Sequence, residues 1–319
     1  MAKVPFVLNP ALVAIAVDYT GVNRSRRGYI ADEVAPVVRV DSPTFRYPEF
    51  DLDDVFNVVD NQVDRLGRLN EIYSSAGEAT GATLDYGLAE PIPYRDEMAA
   101  QNQQISFNLK ARAIRHVVDK NQLAREVRVA ALLQSASSYG TQVADRAGSS
   151  LVADGTDTAG IIETAAESML LPPNVAVMSR KVRNSLKRST ALQTTIGGTQ
   201  VSGRRLTDDE VAEALGVDRI IVGNTLKQTS KRGQAVVTGQ IWGDHLALLH
   251  VPQTEGDGTV EDVNVPAFAL TFQWGDEVSG ETPDPDMGLW GGVRVRSGRS
   301  LVEKVVAPFG GYLFRNVLG

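Results

Sequence analysis

The chain contains no cysteine, which excludes disulfide staples and thiolate metal ligands. Histidine is scarce: only His116, His245 and His250 occur, so a metal site would have to rest mostly on carboxylates. No apolar window reaches the length that a membrane-spanning helix needs. The apolar start, MAKVPFVLNPALVAIAVDYTG, is broken by Pro5, Asn9 and Pro10 and meets Asp18 soon after. It reads as an arm that docks by its apolar residues, not as a secretory signal. Catalytic signatures are missing as well. There is no Gly-x-Ser-x-Gly elbow and no Walker-type glycine loop, and no Gly-x-Gly-x-x-Gly follows the strand-like stretch 215–223. Two absences are local. No lysine occurs between Val4 and Leu109, and neither proline nor glycine occurs between Pro93 and Gly140.

That last gap holds a helix. The stretch 105–139 is filled with good helix formers. Its apolar residues recur at helical spacing as Ala113, Ile114, Val117 and Val118, then Leu123, Val127, Ala130 and Ala131. Ser106 or Asn108 would cap its start and Gly140 would stop it. Thirty such residues make a rod of roughly 45 Å. The apolar stripe shifts phase at 119–122, so the stretch is either one bent rod or two ordinary helices.

With 319 residues, 43% hydrophobic and 22% charged, the chain is long enough for two domains with real cores. Its net charge of −7 is unevenly spread. Positions 45–97 hold twelve acidic residues against four arginines, whereas 168–207 hold seven basic residues and no acidic one. The helix at 108–139 carries six Lys and Arg against Asp119 and Glu126. Such runs are ordinarily solvated faces. Segregation on this scale also suits an acidic part of one copy lying on a basic part of another.

The arm over 1–30 is expected to end in a basic turn at 23–28, and 31–40, interrupted by Pro36, to dock on a core edge. The runs 44–51 (TFRYPEFD) and 83–94 read as strands flanking some thirty glycine-punctuated residues, a hairpin that needs a partner to pack on. The stretch 140–159 has a linker's composition. Beyond it the pattern alternates, giving an α+β unit. A helix is expected at 158–170, a buried strand at 174–178 and a basic helix at 179–189. A Gly/Thr-rich loop should follow at 194–203, then a helix at 208–215 capped by Thr207 and Glu210. Strands are expected at 219–222, 235–242, 245–251, 268–274, 289–295 and 301–306, with a last strand-like piece at 308–317.

Chemistry-bearing clusters are weak. Asp51, Asp53 and Asp54 lie close together but lack the glycine and distant glutamate of a calcium loop. The pairs Asp154/Asp157 and Asp284/Asp286 are no stronger. His245 and His250, an odd number apart on one expected strand, face opposite sides and cannot chelate together. The basic run 180–205 lacks interleaved aromatics and any nucleic-acid-binding motif.

An arm, a long projecting hairpin, one long helix, an α+β unit and returning strands follow one another here. This order resembles the major capsid proteins of tailed bacteriophages, with their Hong Kong 97-type shell fold. The run 44–51 with Asp54, Val55 and Phe56 looks like the first arm of the extended hairpin in one branch of that family. PNVAVM at 173–178 with its helix, EALGVDRIIVG at 213–223 and QIWG at 240–243 resemble the family's axial domain, and FALTFQW at 268–274 a strand near its end.

The resemblance implies an α+β fold of four parts. These are an N-terminal arm (1–30), an extended β-hairpin loop (42–98), a peripheral domain (31–41, 99–156 and 266–319) with its spine helix at about 105–139, and an axial domain (157–265). It implies a structural protein without catalytic, cofactor or metal residues. Such a protein assembles with itself into hexamers and pentamers of an icosahedral head, in the virion, after assembly in the host bacterial cytoplasm. Its partners would be scaffold, portal and possible decoration proteins and double-stranded DNA bound without sequence specificity, with no membrane. Candidate assembly contacts are Arg46, Asp51, Asp53, Asp54, Asp60, Asp64 and Glu71 on the hairpin, and Arg112, Arg115, Arg125 and Arg128 on the long helix. Some members of the family weld their shells through a lysine in the extended loop, which this sequence lacks. No long coiled-coil scaffold segment stands at its N-terminus, so scaffolding is expected from elsewhere or the chain is a mature form. Two other readings stand beside it: an encapsulin-like compartment with the same fold, and a metal-dependent hydrolase built on the Asp clusters.

Overall fold

The structure, a computed structural model, describes residues 7–49, 58, 61–63, 77–101, 108–197, 204–231, 233–252, 260 and 266–319. After a short strand β1 (Val7–Leu8), the first helix α1 spans Pro10–Arg27. Asn9 and Pro10, which break the apolar run in the sequence, are its start signals. The Asn9 side chain accepts from the Ala11 amide, and Pro10 occupies the first turn. The expected basic turn at 23–28 is instead this helix's last turn, closed by Gly28 at φ 66°. Leu12 and Ala16 bury the helix against the rest of the fold, so the expected arm is a docked helix over most of its length.

A short helix α2 (Ala31–Val34) leads into β2 (Val37–Val40) and then β3 (Thr44–Glu49). The two expected arms of the hairpin do not pair with each other. β3 pairs with β4 (Gly77–Ala82), in register from Thr44↔Ala82 to Glu49↔Gly77. The expected second arm is β5 (Leu84–Pro93), which joins a different sheet. β4, GEATGA, carries no strand signal of its own. It is completed across the pair, where the Phe45 ring fills the space over Gly81: a Cβ there would lie 2.6 Å from Phe45 Cζ.

Helix α3 (Tyr94–Gln101) precedes the long helix α4, Leu109–Leu133. α4 is one helix of 25 residues, about 37 Å, capped by Asn108. It stops short of Gly140, and a 3₁₀ turn, Ala136–Ser138, follows. The linker-like stretch then contributes a strand, β6 (Val143–Asp145). α5 (Thr158–Ser168), β7 (Val175–Ser179) and α6 (Arg180–Leu186) follow as expected. Next comes a helix, α7 (Thr190–Gly197), partly where a loop was expected. α8 (Asp208–Ala214) carries the full capping box of Thr207 and Glu210. Strands β8 (Arg219–Gly223), β9 (Leu226–Gln228), β10 (Thr238–Gln240) and β11 (Leu246–Leu249) lead to the long pair β12 (Ala269–Asp284) and β13 (Gly292–Val305). β14 (Gly311–Arg315) is last.

Two sheets organise these elements. In the long sheet, β1, β12, β13 and β5 lie side by side, with β2 parallel to β12. β12 runs about 50 Å at ~3.3 Å per residue, shifted in register between Trp274 and Val278. α4 lies along one face of this sheet, with Val118, Ile114 and Ala113 against Val295 and Ile92, and α1 packs beside it. The second sheet runs β6-β14-β11-β7-β8. Its β6 and β14 come from outside 157–265 and complete it by hydrogen bonding to each other and to β11. One face is covered by α5 to α8 through Ile162, Val182, Leu192 and Val211. The other meets the end of α4 through Val129, Ala130 and Leu133, beside Val177, Trp242 and Leu313. α4 therefore belongs to both cores and couples the two sheets.

Candidate assembly surfaces

Among the described residues the β3–β4 hairpin pairs with no other strand. Its root is built into its own subunit. The Phe45 ring centroid lies 4.5 Å and that of Tyr47 5.2 Å from Phe272 of β12, among Val38, Leu270 and Val306. Each aromatic pair adds about 0.5–1.5 kcal/mol beyond buried area. Arg46, on the intervening position, is exposed. Asp51, Asp53, Asp54, Asp60, Asp64 and Glu71 lie outside the described residues, as do 50–57, 59–60 and 64–76 of the segment between the strands.

The four arginines of the long helix divide into two pairs. Arg112 and Arg115 are exposed. They line a groove of about 740 Å³ between α1 and α4, together with Ile15, Tyr19, Arg27 and His116. The Arg115 guanidinium sits 5.9 Å above the Tyr19 ring centre. Arg125 and Arg128 instead turn into their own subunit. Arg125, 8% exposed, pairs with Asp32 and donates to Thr271 Oγ1 at 3.2 Å. Arg128 reaches both carboxylate oxygens of Glu303 and lies 3.7 Å over the Tyr86 ring. The helix period places both on the sheet side, near Val118, Val129 and Leu133. Their positive charge hides that placement in a reading by residue type.

A search of protein-family models finds no match. Comparison with curated proteins does. The chain is 32% identical to the major capsid protein of Pseudomonas phage JBD67 over 326 aligned residues, covering 100% of this chain and 99% of the relative. The chain belongs to the phage major capsid protein family.

Solved structures agree on the fold. A phage-related protein of Bordetella bronchiseptica superposes with a TM-score of 0.71 at 20% identity, over 98% of each chain. The capsid of cyanophage P-SCSP1u gives 0.53 at 13% identity, over 88% of this chain and 86% of that one. This is the Hong Kong 97-type α+β capsid fold, and the protein is a structural capsid subunit that assembles into oligomeric shells.

The capsid subunit's most buried charge went unnoticed in the sequence. Glu126 of α4 is wholly buried. It accepts from the amides of Ile30 (3.2 Å) and Ala31 (3.0 Å), at the start of α2, and from Trp242 Nε1 (2.7 Å). Burial pushes its pKa up, against the pull of those donors. One carboxylate thus ties the segment after α1, the long helix and the loop leading into β11 together. The Trp242 ring lies so close over Gly223 that any Cβ there would overlap it. Asp119, also buried, accepts from the Tyr29 hydroxyl at 3.3 Å and pairs with Arg27 at 3.0 Å. An apolar-face pattern interrupted by Asp119, Arg125 and Glu126 is the available signal, and the phase shift read at 119–122 covers only the first of them.

The remaining titratable clusters have structural tasks. Asp157 caps α5 through the Gly160 amide, Asp154 accepts from Thr190, and Asp284 holds Arg294. His245 and His250 flank β11. The Nδ1 of His245 accepts from the Asn316 amide, while that of His250 lies 2.8 Å from the Pro172 carbonyl. Among the described residues no three His, Asp or Glu are grouped to hold a metal, and no helix is long and apolar enough to cross a membrane.

Proposed function

We propose that this subunit forms hexamers and pentamers that close into the icosahedral head of a virion, around double-stranded DNA, after assembly in the host bacterial cytoplasm. The observation that carries this reading is the β3–β4 hairpin, paired only with itself among the described residues, rooted by Phe45 and Tyr47, and leading into an acidic stretch. A lone two-stranded hairpin is marginal in water. In a ring of copies the contact is heterologous, so one copy's hairpin finds a different surface on the next. In this reading 1–30 is the N-terminal arm and 42–98 the extended loop. Residues 31–41, 99–156 and 266–319 form the peripheral domain with α4 as spine, and 157–265 form the axial domain at the capsomer centre.

The acidic residues Asp51, Asp53, Asp54, Asp60, Asp64 and Glu71 of one copy, with Arg46 beside them, lie against the exposed Arg112 and Arg115 of another. Arg125 and Arg128 serve assembly indirectly, by fixing the spine that carries those two. DNA is held through its phosphates without sequence specificity. Scaffold, portal and decoration proteins join the shell, and no catalytic step, cofactor or membrane is involved.

The test replaces residues 50–76 by an Asn-Gly turn, which suits a two-residue hairpin and keeps the Glu49↔Gly77 register. The variant should fold as the parent does and form no shells; normal particles would sink the proposal. A compartment enclosing cargo enzymes has the same fold, and the contents of purified particles separate the two. Nuclease-protected DNA supports the head, and protein cargo without DNA the compartment.

A further inference from the structure

We infer that His245 is an acid-sensitive latch, which holds the turn after β14 while its ring is neutral and releases it when the ring is protonated. The chain's three histidines differ in what Nδ1 faces. His116 Nδ1 lies 2.7 Å from the Glu90 carboxylate, and His250 Nδ1 2.8 Å from the Pro172 carbonyl. A proton on either nitrogen suits its partner. His245 Nδ1 instead faces the backbone amide of Asn316, at 3.2 Å. An amide N–H can only donate, so this nitrogen is the bare one and the neutral ring carries its proton on Nε2. A second proton can go only to Nδ1, where it faces the Asn316 N–H and the bond is lost.

What the ring holds is a constrained turn. Asn316 takes the left-handed conformation, at φ 51°. Its Nδ2 donates to Asp145 Oδ1 at 2.9 Å, and its carbonyl accepts from the Gly319 amide at 3.0 Å. The next residue, Val317, is wholly buried in the core under α5 to α8. Its amide donates to the Asp244 carbonyl at 2.8 Å, and its carbonyl accepts from the Leu151 amide at 2.9 Å. The turn 316–319 thus joins the end of β14 to the approach of β11 and to the stretch after β6. The ring has a seat of its own, since a Cβ on Gly243 would lie 3.1 Å from His245 Cδ2.

The charged groups around the ring set the direction of the response. Asp145 of β6 and Asp244 favour the protonated ring, and Arg315 of β14 opposes it. Lys181 of α6 holds the Asp244 carboxylate at 2.7 Å. Gln134 of α4 and Ser179 of β7, which line a small cavity with the ring, carry no charge. Burial is the largest influence and keeps the pKa below the usual 6.5. A folded-state pKa below the unfolded one means that the latch contributes fully above 6.5 and fails as pH falls towards the folded value. The latch belongs to the subunit itself and does not depend on the assembly proposed above.

Hydrogen exchange of unassembled subunits, read by mass spectrometry and corrected for the intrinsic effect of pH, tests the inference. Between about pH 7.5 and pH 5.5, peptides covering 145–151 and 311–319 should exchange about fivefold faster, as loss of one hydrogen bond allows. The rise should begin below pH 6.5 and leave peptides of α4 protected. His245→Asn puts an uncharged acceptor, Oδ1, near the place of Nδ1, and its peptides should stay protected at both pH values. An equal rise in parent and variant would overturn the inference. Should the variant fail to fold, the parent's profile decides alone. No rise, a rise that begins only near pH 4, where carboxylates titrate, or an equal rise in α4 would each overturn it.

Discussion

Reversing arginines along the long helix should separate folding from assembly within a single element. Arg125→Glu would place a carboxylate where the side chain is 10% exposed, facing Asp32, whose side chain is 19% exposed, and beside the buried Glu126. Losing one partner of a buried ion pair costs about 3–5 kcal/mol before any new repulsion is added. Arg128→Glu would face Glu303, 7% exposed, and would also lose the cation–π contact with Tyr86, about 0.5–2 kcal/mol. Against a total stability of about 5–15 kcal/mol, either change is severe. Melting of unassembled subunits should fall by on the order of 10 °C for Arg125→Glu. Arg112→Glu and Arg115→Glu, at exposed positions, should leave melting within a degree or two. They should still impair assembly, increasingly at low salt, where charge is least screened. Circular dichroism melts and light scattering of the same preparations read both effects. If Arg125→Glu subunits melted like the parent yet failed to assemble, Arg125 would be an inter-subunit contact and its seat beside Asp32 would be misassigned.

Glu126→Ala would strand two backbone amides and the Trp242 indole, each costing about 1–3 kcal/mol, so unfolding in urea should move to markedly lower concentration and Trp242 emission should shift to the red. Asp208 should contribute to acid resistance. Hydrogen bonds from Arg183 and then Lys187 hold its pKa down from 3.8 to about 2. A lowered pKa means that the contribution is complete above the unfolded value and is lost as pH falls towards 2; Asp208→Asn should flatten the stability profile in that window and leave it unchanged near neutrality. Shells should be held without covalent bonds, there being no cysteine and no lysine from Val4 to Leu109. Particles boiled in detergent should run as one band near 34.4 kDa, and a ladder of oligomers would contradict this.

What could be read from the chain alone followed from local rules. Thr207 with Glu210 announced α8, the run NVAVM announced β7, and the Pro- and Gly-free stretch announced α4, because each signal lies within a few residues of the element it makes. β4 escaped because its glycine is completed by Phe45, 36 residues away. β12 and β13 were seen only in pieces. A register shift at Trp274/Val278 interrupts one strand, and Gly298 interrupts the other where it passes Gly87. The helix within the expected arm is hidden because Asn9 and Pro10 break an apolar run and also start helices. The shell fold was legible from the order of elements along the chain. Which arginines face outward was not, since that depends on how α4 is rotated against a sheet assembled from distant strands.

The way the second sheet is closed also bears on when a subunit can exist at all. Among the described residues β6 has β14 as its only neighbour, and β11 needs β14 to cover one edge. Translation at ~5–20 residues per second leaves an interval on the order of ten seconds between them. Throughout it a ribosome-bound chain exposes an unpaired strand edge, the kind of surface that recruits other chains indiscriminately. A nascent subunit is therefore unfit to enter a shell until Gly311–Arg315 has emerged, so particle formation cannot begin on polysomes. Crowding of such chains on one message is also where overproduction of this protein should first turn into insoluble aggregate.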